Sequence, residues 1–406
     1  MPAHDRALVK QILKGIEKKG RTAVAWLFGS IFPPRRTTAE DLRRALERGD
    51  IKKILLVRPY QGLGDLLCAT PVITNLKSAF PNVSIHFLAN TFNQAALQGN
   101  PGLDRIWAWN ERTVSHPTAW LRMRDDLRRE RFDLALILSG NALSLTSILL
   151  AKFSEARFVT GYDTRAYGRD WSRWLYSCEL PYRSPVKEID KFLGLLEGIG
   201  LSCPNREPVY RVIPENARLI DERLATLFPG SPRPVIGVFI GGKTDRPERI
   251  WPPACYAETA RRILARQPCE LIIIAPPKAK RHVGQRPTHR RESTFWLDED
   301  IHLSEFKKAF GADVSVFQEA DLGRVAALLA RLRLFICPDG GMMHVAAGLK
   351  VPTLTLFFGT DPEIWNPPVP TAHFLRSPGA GPRSLEPSAV VEAAIRILDE
   401  TPKATT

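Results

Sequence analysis

Asp65 closes the run Arg58-Pro59-Tyr60-Gln61-Gly62-Leu63-Gly64-Asp65, in which two glycines permit a tight turn and a close approach to the backbone. A carboxylate there can cap the helix that follows, where the dipole favours negative charge. It can equally act as a general base that takes a proton from a hydroxyl. A second run, Gly241-Gly242-Lys243-Thr244-Asp245-Arg246-Pro247-Glu248-Arg249, gathers Lys243, Arg246 and Arg249. That cluster suits a diphosphate, or else is a solvated basic loop. Read from Gly237, the same stretch has the P-loop spacing Gly-x-x-x-x-Gly-Lys-Thr. Val238, Phe239 and Ile240 read as strand, however, and Pro247, Pro252 and Pro253 delay the helix a P-loop requires. A third run, Pro338-Asp339-Gly340-Gly341-Met342-Met343-His344, places paired glycines at a helix start, where free backbone N–H groups can receive a pyrophosphate. Alone, Asp339 reads as a cap and His344 as a core histidine. Together, around two glycines at a strand end, they point to a phosphate site.

Other chemistries are poorly served. The eight histidines form no H-x-x-x-H or tight cluster with carboxylates, and the only D-x-D spacing, Asp298-Glu299-Asp300, lies in a charged stretch. No metal site is expected. Cys68, Cys178, Cys203, Cys255, Cys269 and Cys337 are scattered with no C-x-x-C pair, which reads as reduced core thiols in a cytoplasmic protein. The 406 residues are 44% hydrophobic and 25% charged, enough for two cores and too globular for a disordered or fibrous chain. A net charge of +14 favours an acidic partner. Basic residues are spread over the N-terminal stretch, residues 122–131 and residues 278–301 without a stripe of stacking aromatics, so nucleic acid is not expected.

These loops need a scaffold, and the scaffold is visible as alternation. Strand-like runs such as KKILLVRP, VSIHFLA, FDLALILS and ARFVTGY alternate with the helical runs LLCATPVITNLKSAF and ALSLTSILLAKF. After a proline-rich break over residues 201–234, PVIGVFIGG, CELIIIAPP, RLFICPDGG and TLTLFFG alternate with ACYAETARRILARQ, LGRVAALLARL and MMHVAAGLK, and SAVVEAAIRILDE closes the chain. That pattern predicts an α/β protein with two Rossmann-like, doubly wound domains, at residues 51–210 and 211–406, each with a parallel sheet covered on both faces. Residues 278–301 lack either periodicity and read as a charged surface insertion. Residues 1–50 form a basic extension. There, Leu8, Ile12, Leu13 and Ile16 recur at helical spacing among lysines, and Trp26, Leu27 and Phe28 follow. The extension reads either as a helix lying on an anionic membrane or as one packed on the domain behind it. No apolar run approaches the ~20 residues of a membrane span. Pro33-Pro34-Arg35-Arg36 stands where a signal peptide would carry a cleavage site.

The run RPYQGLGDLLCATPVITNLKSAFP resembles the first strand, loop and helix of glycosyltransferase family 9, the lipopolysaccharide heptosyltransferases. LFICPDGGMMHVAAGLKVPTLTLFFGTDPEIWNP is similar to that family's second hallmark. FDLALILSGNALSLTSILLAKFSEARFVTGYD and VKEIDKFLGLLEGIGL fit it too, so the likeness spans about residues 52–400. The resemblance implies a GT-B architecture, with two Rossmann-like domains facing across a cleft, the N-terminal one for the acceptor and the C-terminal one for the nucleotide-sugar. It implies an inverting, metal-independent transfer with Asp65 as general base. Asp339, Gly340, Gly341 and His344 would form the donor turn. Arg249 would stand at the donor phosphates, with Thr244 and Lys243 beside it, and Arg58, Gln61 and Arg165 would face an acidic acceptor.

The implied donor is ADP-heptose, with no separate cofactor, and the implied acceptor is an acidic lipopolysaccharide-type glycolipid. The implied location is cytoplasmic, at the inner face of the inner membrane. Two departures bear on the donor. The turn reads Asp-Gly-Gly where Asp-Ser-Gly or Asp-Thr-Gly is usual, and Lys278 follows the strand LIIIAPP where the family commonly has an acidic residue. A transferase using another nucleotide-sugar, and a GT-B-like binding protein without catalysis, are the alternatives.

Overall fold

A computed structural model describes residues 20–110, 117–140, 143–184, 187–241, 249–275, 299–379 and 381–400. Its contacts divide the chain into two compact units. Each is built on one six-stranded sheet in which every pairing is parallel. The two Rossmann-like domains expected from the alternation are therefore present.

The first sheet holds β1 (Lys53–Arg58), β2 (Ser84–Asn90), β3 (Arg105–Trp109), β4 (Leu134–Ile137), β5 (Phe158–Tyr162) and β6 (Cys178–Leu180), in the order β3-β2-β1-β4-β5-β6. β1 is central, with Ile54 opposite Ile85 on one side and Leu134 on the other. Five of its six residues are buried, as a strand covered on both faces must be.

The second sheet holds β7 (Val235–Phe239), β8 (Glu270–Ala275), β9 (Ser315–Gln318), β10 (Leu334–Pro338), β11 (Thr353–Phe357) and β12 (Ala372–Arg376), ordered β12-β11-β10-β7-β8-β9. Counted from its own first strand, this is the same order as in the first sheet. In both, the crossover direction reverses between the first and fourth strands. That reversal opens a crevice at the strand C-termini where ligands bind in such sheets. Arg58 ends β1 and Asp339 follows β10, so each sits at its sheet's reversal point. Gly237 lies inside β7 between Phe335 and Ile272, which removes it from any phosphate-binding loop.

Two elements differ from the sequence reading. The run LLCATPVITNLKSAF is two helices, Leu63–Cys68 and Thr70–Ala79, because Pro71, lacking an N–H, starts a new helix at its first turn. The first of them, with Gly62 and residues 95–100, groups with the second unit. The proline-rich break contains a 14-residue helix, Pro214–Leu227. Pro214 opens that helix from its first turn rather than interrupting it. Among the described residues no helix is long and apolar enough to cross a membrane. The basic segment 1–19 and most of the charged insertion, residues 276–298, lie outside the described residues; the helix Glu299–Phe310 follows directly.

His86 on β2 illustrates how the first core responds to acid. It is 5% exposed, accepts a hydrogen bond from Trp107 Nε1 at 3.2 Å, and meets Phe132 edge-on at 5.1 Å. Burial holds its pKa below the ordinary 6.5. Unfolded chains therefore bind a proton that the folded unit refuses. The stability is fully present above about pH 6.5 and is lost as pH falls toward the folded pKa. The midpoint of thermal unfolding should drop on going from about pH 7.5 to about pH 5.5, and His86→Gln should flatten that part of the slope. Circular dichroism melts across this range would show an unchanged slope if His86 played no part.

Candidate active site

The site is assembled in the second unit from four segments. Asp65 lies in the first turn of the helix Leu63–Cys68, and that helix packs against the helix Gly341–Gly348. Glycine is required at the contact. A Cβ on Gly64 would come within 2.7 Å of His344 Cδ2, and one on Gly341 within 3.0 Å of Leu63 Cβ. Asp65 is half-buried and turned back on its own loop, since a Cβ on Gly62 would overlap its Oδ2.

His344, one turn into its helix, is 2% exposed. Its Nδ1 is 3.6 Å from the Cys68 thiol. Burial pushes the imidazole pKa down, while the nearby Asp339 and Asp65 pull it up by less. The balance lowers the imidazole pKa and leaves the ring neutral at ordinary pH. Asp339 is fixed by its main chain, whose N–H donates to Leu356 O on β11 at 3.0 Å, and by its side chain, which accepts from the Thr360 hydroxyl. Arg249 approaches the same Asp339 Oδ2 with Nη1 at 3.7 Å. Its position is held from two residues on by Trp251, which is fully buried, donates from Nε1 to Leu385 O at 3.1 Å, and meets Tyr256 edge-on at 4.8 Å.

No side chain caps the N-terminus of the helix Gly341–Gly348, so its first amides face the turn at Gly340. A Cβ at Gly340 would meet nothing within 4 Å. The chemistry available is thus a half-buried carboxylate, a neutral imidazole, one guanidinium and a set of uncapped amides. Together they can take a proton and hold an anion. Among the described residues no group of three or more histidine, cysteine or acidic side chains has metal-binding geometry.

The structure therefore brings together Asp65, Arg249, Asp339, Gly340, Gly341 and His344. Lys243 and Thr244 lie outside the described residues. The three residues read as acceptor-facing belong to the first unit. Arg58 is 4% exposed, donates from Nη1 to Leu138 O at 2.8 Å, and stacks on Tyr60 and Phe192 with its guanidinium carbon 5.1 and 4.5 Å from the ring centres. Arg165 is 67% exposed and ion-paired with Asp163 at 2.7 Å and Glu179 at 3.4 Å. Gln61 is half-buried. Sequence reasoning passed over Thr360 and Cys68. The strand-end rule pointed at Thr360, which follows β11 in Gly-Thr-Asp-Pro; nothing in the sequence singled out Cys68.

The sequence profile of glycosyltransferase family 9 (heptosyltransferase) matches residues 120–383, well over half of the chain. The chain belongs to that family. This glycosyltransferase is 24% identical over 328 residues to lipooligosaccharide heptosyltransferase 2 of Haemophilus influenzae, a match covering 78% of this chain and 86% of the relative. Among solved structures, a family 9 glycosyltransferase from Veillonella parvula superimposes with a TM-score of 0.70 at 18% identity, covering 86% of this chain and 98% of the other. The E. coli ADP-heptose lps heptosyltransferase II gives a TM-score of 0.63 at 19% identity, covering 86% and 99%. The GT-B class implied by the family resemblance is thereby shown. In this glycosyltransferase the matched segment contains Arg249, Asp339 and His344, whereas Asp65 precedes it.

Proposed function

We propose that this glycosyltransferase carries out an inverting, metal-independent transfer of heptose from ADP-heptose to an acidic lipopolysaccharide-type glycolipid, with Asp65 as general base. The observation that carries this reading is the placement of Asp65 one helix contact away from His344 and the Asp339 turn. Asp65 takes the proton from an acceptor hydroxyl as the oxygen attacks the anomeric carbon. The bond from that carbon to the diphosphate breaks with inversion, and ADP leaves with the electron pair. Arg249, Lys243 and the amides at Gly340 and Gly341 meet the charge that builds on the leaving group. Arg58, Gln61 and Arg165 are the proposed contacts to the acceptor's acidic groups. A lipid acceptor places the enzyme peripherally, at the cytoplasmic face of the membrane that displays it.

Gly340 favours one competing reading, a different nucleotide-sugar donor, because the space that a serine or threonine hydroxyl would fill is open. Calorimetric titration with ADP, UDP and GDP separates the two. Selective ADP binding, weakened by Arg249→Ala at least about tenfold as expected for a charge-assisted contact, supports the ADP-sugar reading. Preference for UDP or GDP would retain the Asp65 chemistry and discard the heptose. Binding of none would overturn the transferase mechanism.

A further inference from the structure

The helix over residues 20–31 presents an outward face opposite to what a surface helix normally shows. No charged residue occurs between Thr22 and Pro34. The underside is docked on the first unit. Ala25 is fully buried, Phe28 meets Phe153 edge-on at 5.5 Å, and a Cβ on Gly29 would lie 2.6 Å from Trp174 O. Thr22 accepts from Trp171 Nε1 at 3.3 Å. At 100° per residue, this fixes Val24, Trp26, Leu27 and Ile31 on the opposite arc. They are 46%, 54%, 53% and 59% exposed, and Phe32 just beyond is 50% exposed. Ser30 shares this arc, but its hydroxyl donates to Trp26 O rather than facing water alone.

Eight large apolar side chains are exposed among the described residues, and five fall within these nine positions. Scattered exposed apolar groups need no explanation; a contiguous set on a docked helix does. The surrounding charge identifies the occupant. Arg169 and Arg173 stack on Trp171 and Trp174, the two tryptophans that hold the helix, and Arg36 donates from Nη1 to Tyr176 O at 3.1 Å. Arg35 lies over Phe158, and the nearby acid, Asp170, pairs with Arg173 at 3.0 Å. These four guanidiniums, only one of them paired with Asp170, form a positive rim around an uncharged apolar face. That is the composition of a helix lying in the interface of an anionic bilayer.

We infer that the outer face of this helix, carried by Trp26, Leu27 and Ile31, inserts into the headgroup boundary of an anionic membrane while the arginine rim holds lipid phosphates. This deepens the membrane-surface part of the proposed function and rests on it only for the choice of acceptor. The test is sedimentation of the full-length protein with vesicles of phosphatidylcholine alone and mixed with phosphatidylglycerol. Wild type should bind the mixed vesicles, and added salt should weaken that binding. The triple variant Trp26→Ser, Leu27→Ser, Ile31→Ser should bind at least about tenfold more weakly. Brominated lipid should quench wild-type fluorescence more than that of Trp26→Phe. All three substituted residues are exposed, so melting temperature and ADP affinity should stay at wild-type values, which reports on the transferase reading separately. Absence of wild-type binding, equal binding by the triple variant, or a solution dimer that the triple variant dissolves would overturn the inference.

Discussion

Asp65→Asn is expected to lower kcat by about 10²- to 10⁴-fold, the usual contribution of a positioned general base, and to leave ADP affinity nearly unchanged. The amide has the shape of the carboxylate but cannot accept the acceptor's proton. Losing a negative charge in the first turn of the helix Leu63–Cys68 costs only about 0.3–1 kcal/mol, too little to unfold it. This substitution therefore divides the two roles that a carboxylate at the start of the helix Leu63–Cys68 can have. If Asp65 served only the helix, the variant would melt normally and transfer normally. If Asp65 is the base, it melts normally and fails to transfer. The measurement is turnover under saturating donor alongside a thermal melt. Near-wild-type kcat in a folded variant would remove Asp65 from the chemistry.

The surroundings of Asp65 sharpen the expectation. His344 is buried, and its ring stays neutral at ordinary pH because desolvation outweighs the pull of Asp339 and Asp65. A neutral ring adds no fixed positive charge that would hold the Asp65 carboxylate in place against its proton transfer. Acidification that protonates His344 would place a positive charge beside Asp65, so activity should fall on the acid side through this ring. Gly64 keeps the distance: a side chain there would displace His344 and, with it, the register of the two helices.

Much of this was legible because the relevant signals are local. β1, β4, β7, β8 and β10 are near-continuous apolar runs, and strands buried on both faces must read that way. The edge strands β6, β9 and β12 are three to five residues long and carry Glu179, Gln318 and His373, so their pattern is lost among loops. The helix Pro214–Leu227 was hidden by its own first residue and by burying only Ile220. In the site, Asp339, Gly341 and His344 were readable from glycines at a strand end. The Cys68–His344 contact joins residues 276 positions apart, and no sequence periodicity carries such a pair. Arg58 shows the converse limit. Its strand-end position was readable in the sequence, but its neighbours Phe192 and the Leu138 carbonyl come from far along the chain and carry no local signal.

Lys191→Met should produce the largest loss of stability in the first unit. Lys191 Nζ lies 2.5 Å from Glu188 Oε2 within the helix Glu188–Gly198, with side-chain exposures of only 7% and 2%. Such a pair adds little net stability over a well-packed apolar one, because two charges had to leave water. Removing only the ammonium is a different matter, since the buried Glu188 carboxylate then loses the charge that it pairs with, at a cost of about 3–5 kcal/mol. For a unit of this size that corresponds to a drop on the order of 10 °C in melting temperature. The double variant Glu188→Gln, Lys191→Met removes both charges and should recover most of the loss. The pattern across the three proteins is what matters: a large single-variant loss with recovery in the double identifies the broken Lys191–Glu188 pair as its source. A loss that persists in the double variant would mean that the packing of the Lys191 side chain, and not its charge, is the dominant contribution; the Tyr162 hydroxyl bond to the Lys191 main-chain carbonyl is kept in every variant. Because Phe192, the next residue, stacks on Arg58, the same melts run on Arg58→Met alone and combined with Lys191→Met would report whether the two sites are energetically coupled.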